Sequence, residues 1–151
     1  MIAALAATTA FASPALASTT TAVTATIAPV CTLTGPGNAS VAVSGSTTIG
    51  NVQVVCNNAA GFTASVSSAN SGLLTASNSP TTFNYSLDFG PGGTRALTSP
   101  VVVNSATYGS AAAELAVNGI TLPVAVVITH QNGASFAGNY SDVITWDITA
   151  N

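Results

Sequence analysis

Few side chains of this protein can do chemistry, and their spacing decides what kind. His130 is the only histidine, so it is the sole general base available near neutral pH. Ser135 follows it in Gly133-Ala134-Ser135-Phe136-Ala137, which lacks the second glycine of a nucleophile elbow. A serine nucleophile also needs an acid that orients its base. The four carboxylates, Asp88, Glu114, Asp142 and Asp147, are scattered along the chain. Asp142 and Asp147 fall on opposite faces of one alternating segment, so they make no glycosidase pair. His130 therefore reads as a turn residue after an apolar strand. Asp142 reads as a cap on the turn into the last strand, or as a partner for neighbouring backbone. Arg95 is the only cation, and a glycine-rich turn places it to pair with Asp88 across a hairpin. No catalytic or cofactor-binding residue emerges, and the chain does not read as an enzyme.

The remaining reactive groups are Cys31 and Cys56, the only cysteines. Two thiols and one distant histidine do not complete a tetrahedral metal set. In an exported chain two cysteines most often form one disulfide, which is the expectation here. Export is predicted by residues 1–17, a run of small apolar residues ending Ser13-Pro14-Ala15-Leu16-Ala17. Ala15 and Ala17 supply the small-x-small pattern of a signal-peptidase site, and Ser18 becomes the first mature residue. No Lys or Arg precedes Arg95, so the usual basic start of such a leader is lacking. The apolar run is shorter than the roughly 20 residues a membrane helix needs, and no later run reaches that length. No membrane span is expected.

Composition narrows the partners. Charged residues are 3% of the chain and the net charge is −3, with no lysine at all. Ordinary domains carry roughly 25% charged residues. Without a basic footprint there is nothing to neutralise phosphates, which argues against nucleic acid. A neutral surface rich in Thr, Ser and Asn suits a protein packed against many copies of itself, where charges would be desolvated or repel.

The elements that would position these residues are strands. Val52, Val54 and Cys56 share one face of a segment from Asn51 to Cys56. Phe62, Ala64 and Val66 alternate with Thr63, Ser65 and Ser67, and Phe83, Tyr85, Leu87 and Phe89 with Thr82, Asn84, Ser86 and Asp88. Period-two alternation marks half-buried strands, and Gly90-Pro91-Gly92-Gly93 ends the last of these. From Ile120 to Thr129, Leu122, Val124, Val126 and Ile128 share a face, while Pro123 suggests an edge position or the start of pairing. A closing strand is expected from about Asn139 to Thr149, with Ile144, Trp146 and Ile148 on one face. Only Gly109 to Val117 has helical flavour. Roughly seven strands with Gly, Asn and Ser turns point to a single β-sandwich of immunoglobulin-like type.

Ahead of the first cysteine lies one more alternation. Thr21, Val23, Ala25 and Ile27 share a face opposite Thr20, Ala22, Thr24 and Thr26. Such a strand either pairs within its own domain or is a free arm that pairs with another copy. Taken with Val30-Cys31-Thr32-Leu33, Gly50-Asn51-Val52-Gln53-Val54-Val55-Cys56 and the closing run from Ala137-Gly138-Asn139-Tyr140-Ser141-Asp142 to Ile148-Thr149, the chain resembles the spore coat protein U-like domain. That family includes the major pilins of archaic chaperone–usher pili. The likeness spans nearly all of the chain after the leader.

The resemblance implies an all-β fold, an incomplete immunoglobulin-like β-sandwich completed by a donor strand from another subunit. It divides the chain into a signal peptide (1–17), a donor-strand arm (18–28) and a pilin-type domain (29–151). It implies a structural subunit of a pilus or surface fibre, serving adhesion or biofilm formation at the cell surface. Its partners would be copies of itself, a periplasmic chaperone and an outer-membrane usher. Thr21, Val23, Ala25 and Ile27 would insert, and Tyr140, Ile144, Trp146 and Ile148 would line the acceptor groove. The arm is sparse for this role, since Thr21 and Ala25 are small, and Asp147 lies in the closing strand. The competing reading is a self-complete secreted β-sandwich acting as a coat component or carbohydrate-binding module.

Overall fold

Alternation of apolar and small polar residues does set the architecture, which is nearly all β. The computed structural model describes residues 19–108 and 118–151. The expected leader and the stretch 109–117, whose sequence suggests a turn or two of helix, lie outside the described residues. Nine strands are found among the described residues: β1 (Cys31–Thr34), β2 (Gly45–Cys56), β3 (Phe62–Ser68), β4 (Leu73–Ala76), β5 (Ser79–Asp88), β6 (Thr94–Ala96), β7 (Val101–Asn104), β8 (Ile120–Asn132) and β9 (Ile144–Ala150). They form two antiparallel sheets. One has the order β1-β2-β8-β5-β4, with β6 also on β5, and the other has the order β7-β3-β9.

The two sheets share one core. β2 contributes Val52, Val54 and Cys56, β3 contributes Phe62, Ala64 and Val66, β5 contributes Phe83, Tyr85 and Leu87, and β8 contributes Val124 and Val126. These are the inward rows expected from the alternation. Each large apolar side chain so buried is worth about 1.5–3 kcal/mol. Short strands β4 and β6 lie end to end along the outer edge of β5.

One expectation needs correction and two that were open are narrowed. Of the two fates of the alternating stretch before Cys31, pairing within its own domain is not found: residues 19–30 form no strand and are all exposed. β9 begins at Ile144, not near Asn139, because the residues before it are bound to the other sheet: Ser141 exchanges backbone hydrogen bonds with Thr75 at 2.9 and 3.2 Å. Of the two readings of Pro123, an edge position fails, since β8 lies between β2 and β5. The start of pairing holds on the β5 side: that ladder begins at Ala125 opposite Asp88, two residues past Pro123, which stands opposite Asn51 of β2.

Cys31 and Cys56 are directly opposed in the β1–β2 ladder and form a disulfide, with Cα atoms 4.1 Å apart. It ties the short edge strand β1 to the core and closes a separation of 25 residues. Replacing both cysteines by serine is expected to lower unfolding free energy by about 3–4 kcal/mol, read from the denaturant midpoint. A loss below about 1 kcal/mol would mean that β1 is held by its ladder alone.

Candidate functional site

The site is built at the free edge of β9. That strand pairs with β3 on one side only, and among the described residues its other edge has no strand partner. Ile144, Trp146, Ile148 and Ala150 point inward but stay half-buried, while Thr145, Asp147 and Thr149 are exposed. Facing them is β1, the edge of the first sheet, whose inward residues Cys31 and Leu33 are also half-buried. The core residues of β2, β3, β5 and β8 are buried nearly completely, although the ends of the β8 row, Ile120, Leu122 and Ile128, are half-buried as well. The core is thus sealed on most sides and thinly covered between β1 and β9.

Trp146 divides this opening. Its ring meets Phe89 edge-on, with centroids 5.8 Å apart at 89°. On the β1 side the indole lies against Gly35, where an added Cβ would sit 3.6 Å from Cδ1. Just beyond, Gly50 has φ 134°, at the bulge where β2 shifts register against β8, and a Cβ there would come 3.1 Å from Pro36 Cβ. That backbone angle favours glycine and lets the loop after β1 close over β2. Aromatic edge-to-face pairs add about 0.5–1.5 kcal/mol beyond burial, so the indole of β9 is held against two strand ends of the facing sheet, those of β5 and β1.

Tyr140 is not in this row. It precedes β9 and packs edge-on against Phe83, with centroids 4.9 Å apart, and its hydroxyl reaches Ser79 Oγ at 2.7 Å and Phe136 O at 2.8 Å. Asp142, two residues on, is the hub that sequence reasoning underrated. Its carboxylate accepts from the backbone N–H of Asn70 at 3.0 Å and of Val143 at 2.7 Å, from the Tyr85 hydroxyl at 2.6 Å, and from Ser68 Oγ. Burial, then the hydrogen bond to Asp142, raises the Tyr85 pKa well above the ordinary value of 10.0, so this phenol stays a donor. The Tyr-x-Asp motif therefore fastens the run-in of β9 to the other strands. The signal was the Tyr140–Asp142 spacing itself; the partners were invisible because they lie more than 50 residues away.

The arm ends at an equally specific place. Asn57, just past β2, donates its backbone N–H to Val30 O at 3.1 Å. Its side chain accepts from Val30 N–H at 2.6 Å and donates to Ala28 O at 3.1 Å. Before that anchor the described residues 19–27 are all exposed, Val23 at 90% and Ile27 at 86%, Thr21 and Ala25 with them.

The other sequence candidates lie apart. His130 is exposed on β8 opposite Asn84, and Ser135 Oγ accepts from Gln131 Nε2 at 2.8 Å. Arg95 stands opposite Leu87, and Asp88 opposite Thr94, so the expected cross-hairpin pair falls on opposite faces of the ladder. Asp88 instead accepts the Gly90 N–H at 2.9 Å, an Asx-type turn bond. Glu114 lies outside the described residues. Among the described residues no three His, Cys, Asp or Glu side chains gather as a metal set, and no helix is long and apolar enough to cross a membrane. No protein-family model matches the chain, and no curated protein matches it.

Proposed function

We propose that this protein is a structural subunit of an extracellular pilus or surface fibre: an immunoglobulin-like β-sandwich one strand short, completed by residues 18–28 of the next copy. In this reading it reaches the surface through the periplasm with a chaperone and an usher, as its resemblance to archaic pilins implies. It performs no catalysis.

One observation carries the reading. Among the described residues, the same chain has an unpaired strand edge over a half-buried apolar row and an unpaired, exposed arm whose apolar positions share the strand period. Thr21 to Ile27 extends about 23 Å, the length of the 7-residue β9. Strand addition satisfies backbone groups on both edges and places alternate side chains in the opening, the β-augmentation mode. An unpaired edge beside exposed Val and Ile side chains is otherwise an aggregation hazard. Because donor and acceptor are different surfaces, each contact leaves one of each free. The assembly is therefore an open filament. The nearly charge-free composition fits close packing of copies.

The test is deletion of residues 18–28. Surface filaments seen by electron microscopy should vanish while a chaperone-bound monomer persists. Filaments built from the truncated chain would overturn the proposal.

A further inference from the structure

An arm tethered to its own groove would fill it first, unless something prevents this, because the tethered copy is present at high effective concentration. The anchor at Asn57 supplies the obstacle. Cys56 Sγ lies 3.7 Å from Gly61 O, the same carbonyl receives the Asn151 N–H at 3.1 Å, and Phe62 pairs with Ala150. Cys31, opposite Cys56, is therefore at the Ala150 end of the opening, and Gly35, against Trp146, is further along it. β1 enters at the Ala150 end and runs antiparallel to β9. Followed backwards from Cys31, the chain leaves the opening at that end and points away from it.

To fill its own opening the arm must reverse direction within Ala28–Val30. Three hydrogen bonds oppose this: the Asn57 backbone to Val30, and the Asn57 amide to Val30 and to Ala28. The carboxamide extends the β1–β2 ladder past its end, gripping both sides of Pro29, whose ring fixes φ.

We infer that Asn57 is a positioning residue that directs the arm outward, so that the occupant of the β9 edge is a second copy of this chain and not the chain's own arm. This rests on the fibre-subunit reading above. Asn57 is exposed and outside the core, so its replacement leaves the domain folded.

The test uses the full mature chain as wild type, Asn57→Ala and Asn57→Asp. Assembly is read by light scattering, and hydrogen exchange at 21–27 is read in the monomer fraction. Wild type should yield polymer, with an unprotected arm in the residual monomer. Asn57→Ala loses both side-chain bonds and should raise the share of arm-protected monomer about tenfold. Asn57→Asp keeps only the acceptor for Val30 N–H and should fall between. Wild-type-like assembly of Asn57→Ala, or a protected arm in wild-type monomer, overturns the inference. Assembly that survives arm deletion instead overturns the function beneath it, so the two failures are distinguishable.

Discussion

Ile27→Asp is expected to abolish assembly while leaving the monomer folded. In the free chain Ile27 is 86% exposed, so a carboxylate there is fully hydrated and costs the fold nothing measurable. In the assembled state the same position would lie over the β9 row, whose inward residues are Ile144, Trp146 and Ile148. The chain's one cation, Arg95, is on β6 and its remaining charges are negative, so the buried carboxylate would meet no partner. Burying an unpaired charge costs about 3–5 kcal/mol or more, a hundredfold to several thousandfold in the strand-exchange equilibrium. Val23→Asp should act the same way, and Thr24→Asp, on the other face of the arm, should be mild. The sole tryptophan gives the readout, because Trp146 sits half-buried in the opening. Its emission should shift to the blue when wild-type chains assemble and stay red for Ile27→Asp. Unchanged filaments from Ile27→Asp would remove the arm from the connector role.

Asp142→Ala is expected to cause the largest loss of stability of any single polar substitution. It leaves the Tyr85 hydroxyl and Ser68 without their shared acceptor and frees the N–H groups of Asn70 and Val143. Hydrogen bonds to a charged group are worth about 1.5–3 kcal/mol each, and they are not additive within one network, so the expected loss is about 3–5 kcal/mol. Ser68 Oγ also receives the Gly72 N–H at 2.6 Å, so the damage reaches the turn into β4. Denaturant unfolding checks the number, and Asp142→Asn, which keeps one carbonyl acceptor, should lose less. A change below about 1 kcal/mol would show that water replaces the carboxylate freely.

How much of this was legible beforehand follows from where each signal resides. The inward rows of β2, β3, β5 and β8 were readable because burial on one face imposes a period of two on consecutive residues. The disulfide was readable from cysteine number and compartment. The start of β9 was misread because Tyr140, Asp142 and Ile144 continue the same alternation, although Tyr140 and Asp142 are bound to β5, to the end of β3 and to the turn after it. Pro123 left two readings open because a proline signals a missing donor on one side of a strand only, and it proves to lie where the pairing of β8 with β5 has yet to begin. Asp88 and Arg95 failed to pair because a one-step difference in hairpin register puts side chains on opposite faces.

By itself the sequence determined the inward rows of β2, β3, β5 and β8, the cystine and the near absence of charge, since all of these are local or compositional. The short strands β4, β6 and β7 carry too few residues for the alternation to mark them. Only the tertiary structure decided that β9 has no second strand partner among the described residues, that Trp146 spans from Phe89 to Gly35 beside that edge, and that Asn57 grips the root of the arm. Those facts depend on which distant strands become neighbours, and that is set by closing two sheets over one core, which no local pattern encodes.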